Sequence, residues 1–116
     1  MTENTLFFIP VLTGLVFIIT GIILLKFPPK KRNSFYGYRT ASSMKNQERW
    51  DFAQIYSSKE MIKLGSLLAL LGLIGLKYRP DEETGVFWGM VFLILIVIVL
   101  IVRVELAIKN KFKKSA

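Results

Sequence analysis

The polar groups best suited to recognition are concentrated in one short stretch, Asn33 to Thr40, which reads NSFYGYRT. Asn33 can both donate and accept hydrogen bonds, and Gly37 allows a positive φ or a close approach of the backbone to another group. Arg39 has the most specific chemistry, because its planar fork can hold a carboxylate, a phosphate or several backbone carbonyls. These residue types indicate binding, or a structural tie between the stretch and a helix end or a lipid phosphate.

Catalysis is not expected from this sequence. The 116 residues include no cysteine and no histidine, which removes the thiol nucleophile, the commonest general base and the ligands of ordinary zinc and haem sites. Glu48 and Asp51 are the only carboxylates near the polar stretch, and we interpret them as a solvated helix face with weak ion pairs. We predict that the protein is not an enzyme and has no catalytic residue, no metal site and no cofactor.

Three apolar runs predict an all-α integral membrane protein with a single domain, 1–116. The first run, 5–25, has no charged residue, and its roughly 31 Å of helix match the hydrocarbon core of a bilayer. It has no Lys or Arg before it and no A-x-A site after it, so we expect a retained span rather than a cleaved signal peptide. The second and third spans are predicted at 58–77 and 84–103, with flanking Lys and Glu side chains reaching the interface.

The loop between the first two spans, 28–57, is predicted to contain an amphipathic helix at the cytoplasmic interface. Pro28 and Pro29 end the first span, and no Pro or Gly interrupts residues 41–64. One helical face would carry Ser43, Asn46 or Gln47, Trp50, Ala53 or Gln54, and Ser57. We expect Thr40, Ser42 or Ser43 to cap this helix, and Trp50 to sit at the headgroup boundary.

Small residues predict how the spans pack. The second run carries Gly65, Ala69 and Gly72, and the first carries Gly14 and Gly21, seven residues apart. Such stripes let two helices approach closely, so we expect the first two spans to pack together, with much of the third facing lipid. Packing within one chain is favoured over a dedicated dimer face, and the oligomeric state stays open.

The distribution of charge predicts the orientation. Fourteen of the sixteen Lys and Arg residues lie in two segments, nine from Lys26 to Lys63 and five from Arg103 to the end of the basic tail, 104–116. The second loop has only Lys77 and Arg79, beside three acidic residues. The positive-inside rule then puts the first loop and the C-terminus in the cytoplasm and the N-terminus outside. The net charge of +8 is explained by this bias, so no direct nucleic-acid binding is expected.

The polar stretch and the residues after it resemble the signature of the SdpI-like family, the sporulation-delay toxin immunity proteins. Nine positions match: Asn33, Gly37, Tyr38, Arg39, Thr40, Ser43, Asn46, Trp50 and Ala53. One apolar run precedes the signature and two follow it, so the resemblance covers roughly residues 15–102. Beyond Ala53 the chain departs from the family pattern, since Gln54 and YSSK stand where members often have Asn or His and then Gly.

The resemblance implies a role in the bacterial cytoplasmic membrane. The best-known member protects its own cell from a secreted membrane-active toxin and holds a transcriptional repressor at the membrane. A toxin and a cytoplasmic repressor are therefore the expected partners besides the bilayer. Asn33, Arg39 and Asn46 would form a polar network that shapes the loop, and Arg39 with the basic rim would bind the partner. Arg39 and Asn33 can equally be structural ties within the loop.

Two other functions are compatible with the same pattern. Three spans, small size and a basic tail also match a holin-like pore former, although a holin does not need a structured loop. A small lipid-binding or lipid-modifying protein could use Asn33, Arg39 and Asn46 to hold a lipid phosphate at the cytoplasmic interface. A proton-coupled transporter is disfavoured, because no charged residue is predicted deep in a span.

Overall fold

A computed structural model describes residues 4–33 and 35–113 of the chain. Four helices account for most of this part: α1 (Thr5–Lys26), α2 (Gln47–Gly72), α3 (Ile74–Lys77) and α4 (Glu82–Lys111). No strand occurs within the described ranges, so the all-α prediction is confirmed there. The predicted basic tail continues α4 as far as Lys111, and residues 114–116 lie outside the described part.

Two of these helices, α1 and α4, are long and apolar enough to cross a membrane, and they contain the predicted first and third spans. The predicted amphipathic helix and the predicted second span form one continuous helix, α2, with a polar first half and an apolar second half. The helix breaks at Leu73, after which α3 adds one more turn. The three-span arrangement itself stays a prediction.

Contacts at the helix ends give the directions of the helices. The Asn4 side-chain amide donates to the Gly75 carbonyl at 2.9 Å, and the Thr5 hydroxyl donates to the Glu82 carbonyl at 3.2 Å. The starts of α1 and α4 therefore lie beside the end of α3. Helices α1 and α4 run parallel to each other, α2 runs against both, and the loop of residues 27–46 lies at the opposite end of the bundle.

Helices α1 and α2 touch through their backbones at the glycine stripes, as the sequence predicts. A Cβ atom on Gly14 would lie 2.5 Å from the Gly65 carbonyl oxygen and 2.8 Å from the Ala69 nitrogen. Further along, a Cβ on Gly21 would lie 2.7 Å from the Ser58 carbonyl oxygen. No side chain fits between backbones at these distances, so the glycines are used inside this chain.

The apolar core lies between α2 and α4. It is built from side chains on both helices: Ala53, Leu64 and Leu68 from α2, and Ile96, Leu100, Val104 and Ile108 from α4. Phe112 closes it at the loop end, where its ring packs edge-on against Phe52 with 5.8 Å between ring centroids. Because Val104 and Ile108 are fully buried, the part of the predicted tail from residue 104 to residue 112 belongs to the packed structure.

Replacing Gly14 with Leu is expected to separate α1 from α2 and lower stability by about 1–3 kcal/mol or more, because the new side chain meets backbone atoms. Thermal unfolding of the detergent-purified protein measures this. Val16→Leu, on the exposed side of the same helix, is the control and should unfold like the wild type. Equal unfolding temperatures for Gly14→Leu and the wild type would contradict the close approach.

Candidate functional site

The loop between α1 and α2 begins with a turn organised by Asn33. The Asn33 side-chain oxygen accepts hydrogen bonds from the backbone N–H groups of Phe35 and Tyr36, at 2.9 and 2.7 Å. Its amide nitrogen donates to the Lys31 carbonyl at 2.9 Å. This is an Asx turn, in which a short polar side chain replaces a backbone partner. Asn33 thus shapes the entrance to the loop.

A buried glutamine on α2 holds the centre of the loop. The Gln54 side-chain oxygen accepts from the Tyr38 N–H at 2.7 Å, and its amide nitrogen donates to the Tyr38 carbonyl at 2.8 Å. Gln54 is 1% exposed, so both ends of its amide are satisfied within the protein. Gly37 is required beside it, because its φ is +102° and an added Cβ would lie 2.4 Å from the Gln54 oxygen.

Three hydroxyl groups of the loop converge on one carboxylate of α4. Tyr38 and Thr40 donate to Glu105 Oε2 at 2.6 and 2.8 Å, and Ser42 donates to Oε1 at 2.7 Å. We call this group the Glu105 clamp. Burial, followed by the hydrogen bond to the Glu105 carboxylate, raises the pKa of Tyr38, so its phenol stays protonated and keeps donating.

The segment after Arg39 forms a separate turn before the helix starts. The Thr40 N–H donates to the Ser43 hydroxyl at 2.8 Å, and the Ser43 N–H donates to the Thr40 hydroxyl at 3.2 Å. Ser43 is fully buried in this turn. The turn ends before α2, which begins at Gln47. The expectation that Thr40, Ser42 or Ser43 caps the amphipathic helix is wrong, because their side chains are taken up by the turn and the clamp.

Asn46 is the residue that begins α2. Its extended backbone directs the side-chain oxygen to accept from the Arg49 N–H at 2.8 Å, which is the usual N-cap contact. Like Asn33, it therefore has a local role. The two asparagines of the predicted Asn33, Arg39 and Asn46 network therefore act separately. Asn33 organises the Asx turn, and Asn46 caps α2.

Trp50 is a core residue of the loop end. Its side chain is 0% exposed, and its indole N–H donates to the Pro29 carbonyl at 2.6 Å. Ala53, three residues further along α2, is also fully buried and belongs to the core between α2 and α4. The expectation of Trp50 at the headgroup boundary is wrong, because the chain after Pro29 folds over the indole and buries it.

Arg39 and Asn46 are exposed residues of the signature, and Arg39 is the one that carries a charge. Its side chain lies at the surface and lines a cleft under the loop, next to Tyr36 and Gly37. Other exposed cations of the same loop, Lys31, Arg32 and Lys45, give this end of the molecule a basic rim. The arrangement is a rigid polar loop that presents positive charge outward.

A second buried carboxylate ties α2 to α4. Glu60 is 2% exposed and accepts hydrogen bonds from the Arg103 guanidinium and, at 3.2 Å, from the Lys63 ammonium. Arg103 and Lys63 themselves remain largely exposed. Glu60 therefore lies at the point where the apolar half of α2 meets its polar half, with its charge compensated by two cations.

The sequence reasoning missed Gln54, Glu60 and Glu105. A signal was present for Glu105, which is the only acidic residue after Glu83 and stands within a basic segment. Glu60 offered a weaker one, since it lies three residues before Lys63 and so shares a helix face with it. Gln54 gave none, because any polar residue next to a buried Ala53 looks like a helix edge.

The side chains of the site are arranged for holding a shape. Every hydroxyl, amide and carboxylate described above accepts from or donates to another group of the protein. Within residues 4–33 and 35–113, no group of three or more acidic residues stands together as a metal site would require. The chemistry that the site offers outward is the positive charge of Arg39 and its basic neighbours.

Glu105→Ala should release the loop from α4, since three charge-assisted hydrogen bonds lose their acceptor. We expect backbone amides of residues 36–44 to exchange hydrogen about tenfold faster or more. Hydrogen–deuterium exchange with mass spectrometry measures this. Glu48→Ala, which removes an exposed carboxylate, is the control, and unchanged exchange in Glu105→Ala would contradict the clamp.

Gln54→Glu should destabilise the protein by about 1–3 kcal/mol, because it removes the donor to the Tyr38 carbonyl and buries a charge. Chemical or thermal unfolding in detergent reports the difference. The reverse change at the exposed Glu48, Glu48→Gln, is the control and should cost much less. If both variants unfold alike, the Gln54 amide does not hold the loop.

Comparison with known proteins relates this chain to a protein family. The model of the SdpI/YfhL protein family matches residues 30–104, a range that contains the whole loop signature and ends one residue before Glu105. The chain is 48% identical over 67 residues to YfhL of Bacillus subtilis (strain 168), a protein described as uncharacterized. This match covers 54% of the chain and 61% of YfhL, and no solved structure matches.

The matched range runs from the basic loop through α2 and most of α4, so it includes the elements that position the site. It covers well over half of the chain. The resemblance that the nine signature positions indicate is confirmed, and with it the membrane-helix character of the protein. The chain belongs to the SdpI/YfhL protein family.

Proposed function

We propose that the protein is a membrane-embedded immunity protein, which protects its cell from a secreted membrane-active toxin and docks a cytoplasmic regulator on the loop between α1 and α2. The observation that carries this proposal is the family match over residues 30–104, which includes the complete signature. The best-known member of the SdpI-like family, which the signature resembles, has both roles. The match to YfhL covers only part of that protein and adds no activity.

The proposed setting is the bacterial cytoplasmic membrane, with α1, the apolar half of α2, and α4 crossing it. The loop and the far end of α4 form the basic end of the bundle, so the positive-inside rule assigns this end to the cytoplasm. The short acidic segment before α4, Asp81 to Glu83, then faces outward together with the start of α1. Toxin would be met at that outer end or within the bilayer.

The loop is proposed as the regulator's docking surface because its shape is set before binding. The Glu105 clamp, Gln54 and the two asparagine turns hold the backbone, which lowers the entropy lost when a partner binds. Arg39 and the basic rim favour an acidic partner surface and would raise the rate of encounter. The partner is thus expected to recognise charge in a fixed pattern.

Catalysis has no part in this proposal. Chemistry on a lipid would need a base or nucleophile, and the sequence has no histidine or cysteine. The carboxylate best placed beside the loop, Glu105 of α4, already accepts from three hydroxyl groups. A holin-like pore would not require these ties, so we do not propose that function.

Survival of a toxin-sensitive bacterium tests the proposal. Cells expressing the protein should survive a sporulation-delay-type toxin, and cells expressing Arg39→Ala should die, because the signature cation is lost. Immunoblotting of membrane fractions confirms that both proteins are inserted in equal amounts. Lys59→Ala removes an exposed charge from α2, outside the loop and its basic rim, and should still protect.

Two outcomes would contradict the proposal. Death of cells that carry the wild-type protein would exclude immunity to this toxin, and full protection by Arg39→Ala would remove the loop cation from the mechanism. Membrane potential is measured in the same cultures before toxin is added. Its collapse on expression alone would favour the holin-like function instead.

A further inference from the structure

An apolar cleft of about 360 Å³ opens between α1 and α4 directly beneath the loop. Phe17 and Leu24 of α1, Met61 of α2, and Val97 and Leu100 of α4 form its walls. Arg39 and the neighbouring backbone of the loop form its upper lip. The cleft is large enough for part of a small ligand, and its apolar lining favours an apolar ligand group.

The position of the cleft along the helices matches the boundary between acyl chains and headgroups. Leu24 lies two residues before the end of α1, and Leu100 lies three residues before Arg103. From Phe17 to Leu24 the cleft extends about 10 Å along α1 into the apolar part of the bundle. Its polar lip therefore lies where the charged residues begin.

We propose that this cleft binds one acyl chain of an anionic phospholipid from the same leaflet, with the lipid phosphate held by Arg39. An aliphatic chain fits the walls, and a phosphate oxygen is the natural acceptor for a guanidinium at the lip. Since a guanidinium has five N–H donors, contacts that Arg39 makes within the protein leave donors for the lipid.

The charge around the lip decides between lipid classes. A zwitterionic lipid would bring its own cation close to Arg39 and the basic rim, whereas an anionic lipid adds only negative charge. Recognition of this kind differs from general attraction to the bilayer, because it needs the cleft and the cation together. The inference does not rest on the immunity function and remains testable if that function is wrong.

Lipid binding is measured by native mass spectrometry of the full chain in detergent. Dioleoylphosphatidylglycerol is the anionic probe, and dioleoylphosphatidylcholine has the same acyl chains with a zwitterionic headgroup. The wild type should retain the anionic lipid about tenfold more strongly, and Arg39→Gln should reduce this preference to near unity. Lys59→Gln removes one exposed charge from α2, outside the basic rim and the cleft, and should keep the preference.

The walls of the cleft are tested separately. Thr20 lines the cleft from α1, so Thr20→Trp should fill it and abolish retention of both lipids. Ile19→Trp, at the exposed neighbouring position, is the control and should bind like the wild type. Thermal unfolding of each variant shows that the bundle is intact.

A photoactivatable phosphatidylglycerol with a diazirine in its acyl chain locates the bound lipid. Crosslinks should fall on peptides containing Phe17, Met61 and Val97 in the wild type, and be lost in Thr20→Trp. Crosslinks spread over the outer faces of α1 and α4 would overturn the proposal. Equal loss of the lipid preference in Arg39→Gln and Lys59→Gln would also overturn it, because it would indicate attraction to charge alone.

Discussion

The loop end of this molecule depends on a single carboxylate, Glu105. Three hydroxyl groups from the loop donate to it, and they come from residues that are 63 to 67 positions away in the chain. A carboxylate in a partly buried site needs such donors, since its charge is otherwise costly to remove from water. The same donors keep the loop on α4. The three hydrogen bonds therefore stabilise the Glu105 charge and also fix the position of the loop.

Besides the Glu105 clamp, side chains of α2 restrict the conformation of the loop. Gln54 pairs with both backbone groups of Tyr38, while Trp50 donates to the Pro29 carbonyl from inside the protein. These contacts all originate from α2, whose place beside α1 is set by the contact of Gly14 with Gly65. The close approach of two helix backbones deep in the bundle and the shape of the polar loop are thus linked through one continuous helix.

The polar side chains of the loop end fall into two groups: those that hold the shape of the loop, and the exposed cation Arg39, to which we assign binding. The asparagines, the hydroxyl groups and the carboxylates of the loop end contact one another or the backbone, and Arg39 lies at the surface over an apolar cleft. A rigid loop that exposes positive charge suits both a protein partner in the cytoplasm and an anionic lipid in the leaflet. Family membership points to the first, and the cleft beneath the loop points to the second.

The sequence alone determined the helical class, the approximate positions of the apolar helices and the family. Uncharged runs of about 20 residues leave the backbone few other ways to satisfy its hydrogen bonds in lipid, so these helices follow from composition. The packing of α1 against α2 at their glycine stripes was also predictable, because small residues at helical spacing mark close contacts. The nine signature positions likewise identified the loop as the distinctive part.

Only the tertiary structure decided what each signature residue does. Whether Trp50 faces headgroups or the protein interior depends on where the chain after Pro29 lies, and no local pattern encodes that. Helix α2 starts at Gln47, later than a cap at Thr40, Ser42 or Ser43 would place it. The hydroxyl groups of those residues have tertiary or turn partners, which leaves Asn46 to cap the helix. Gln54 and Glu105 acquire their roles from partners 16 and more than 60 residues away. Contacts of that kind arise when helices pack, and a pattern of neighbouring residues does not contain them.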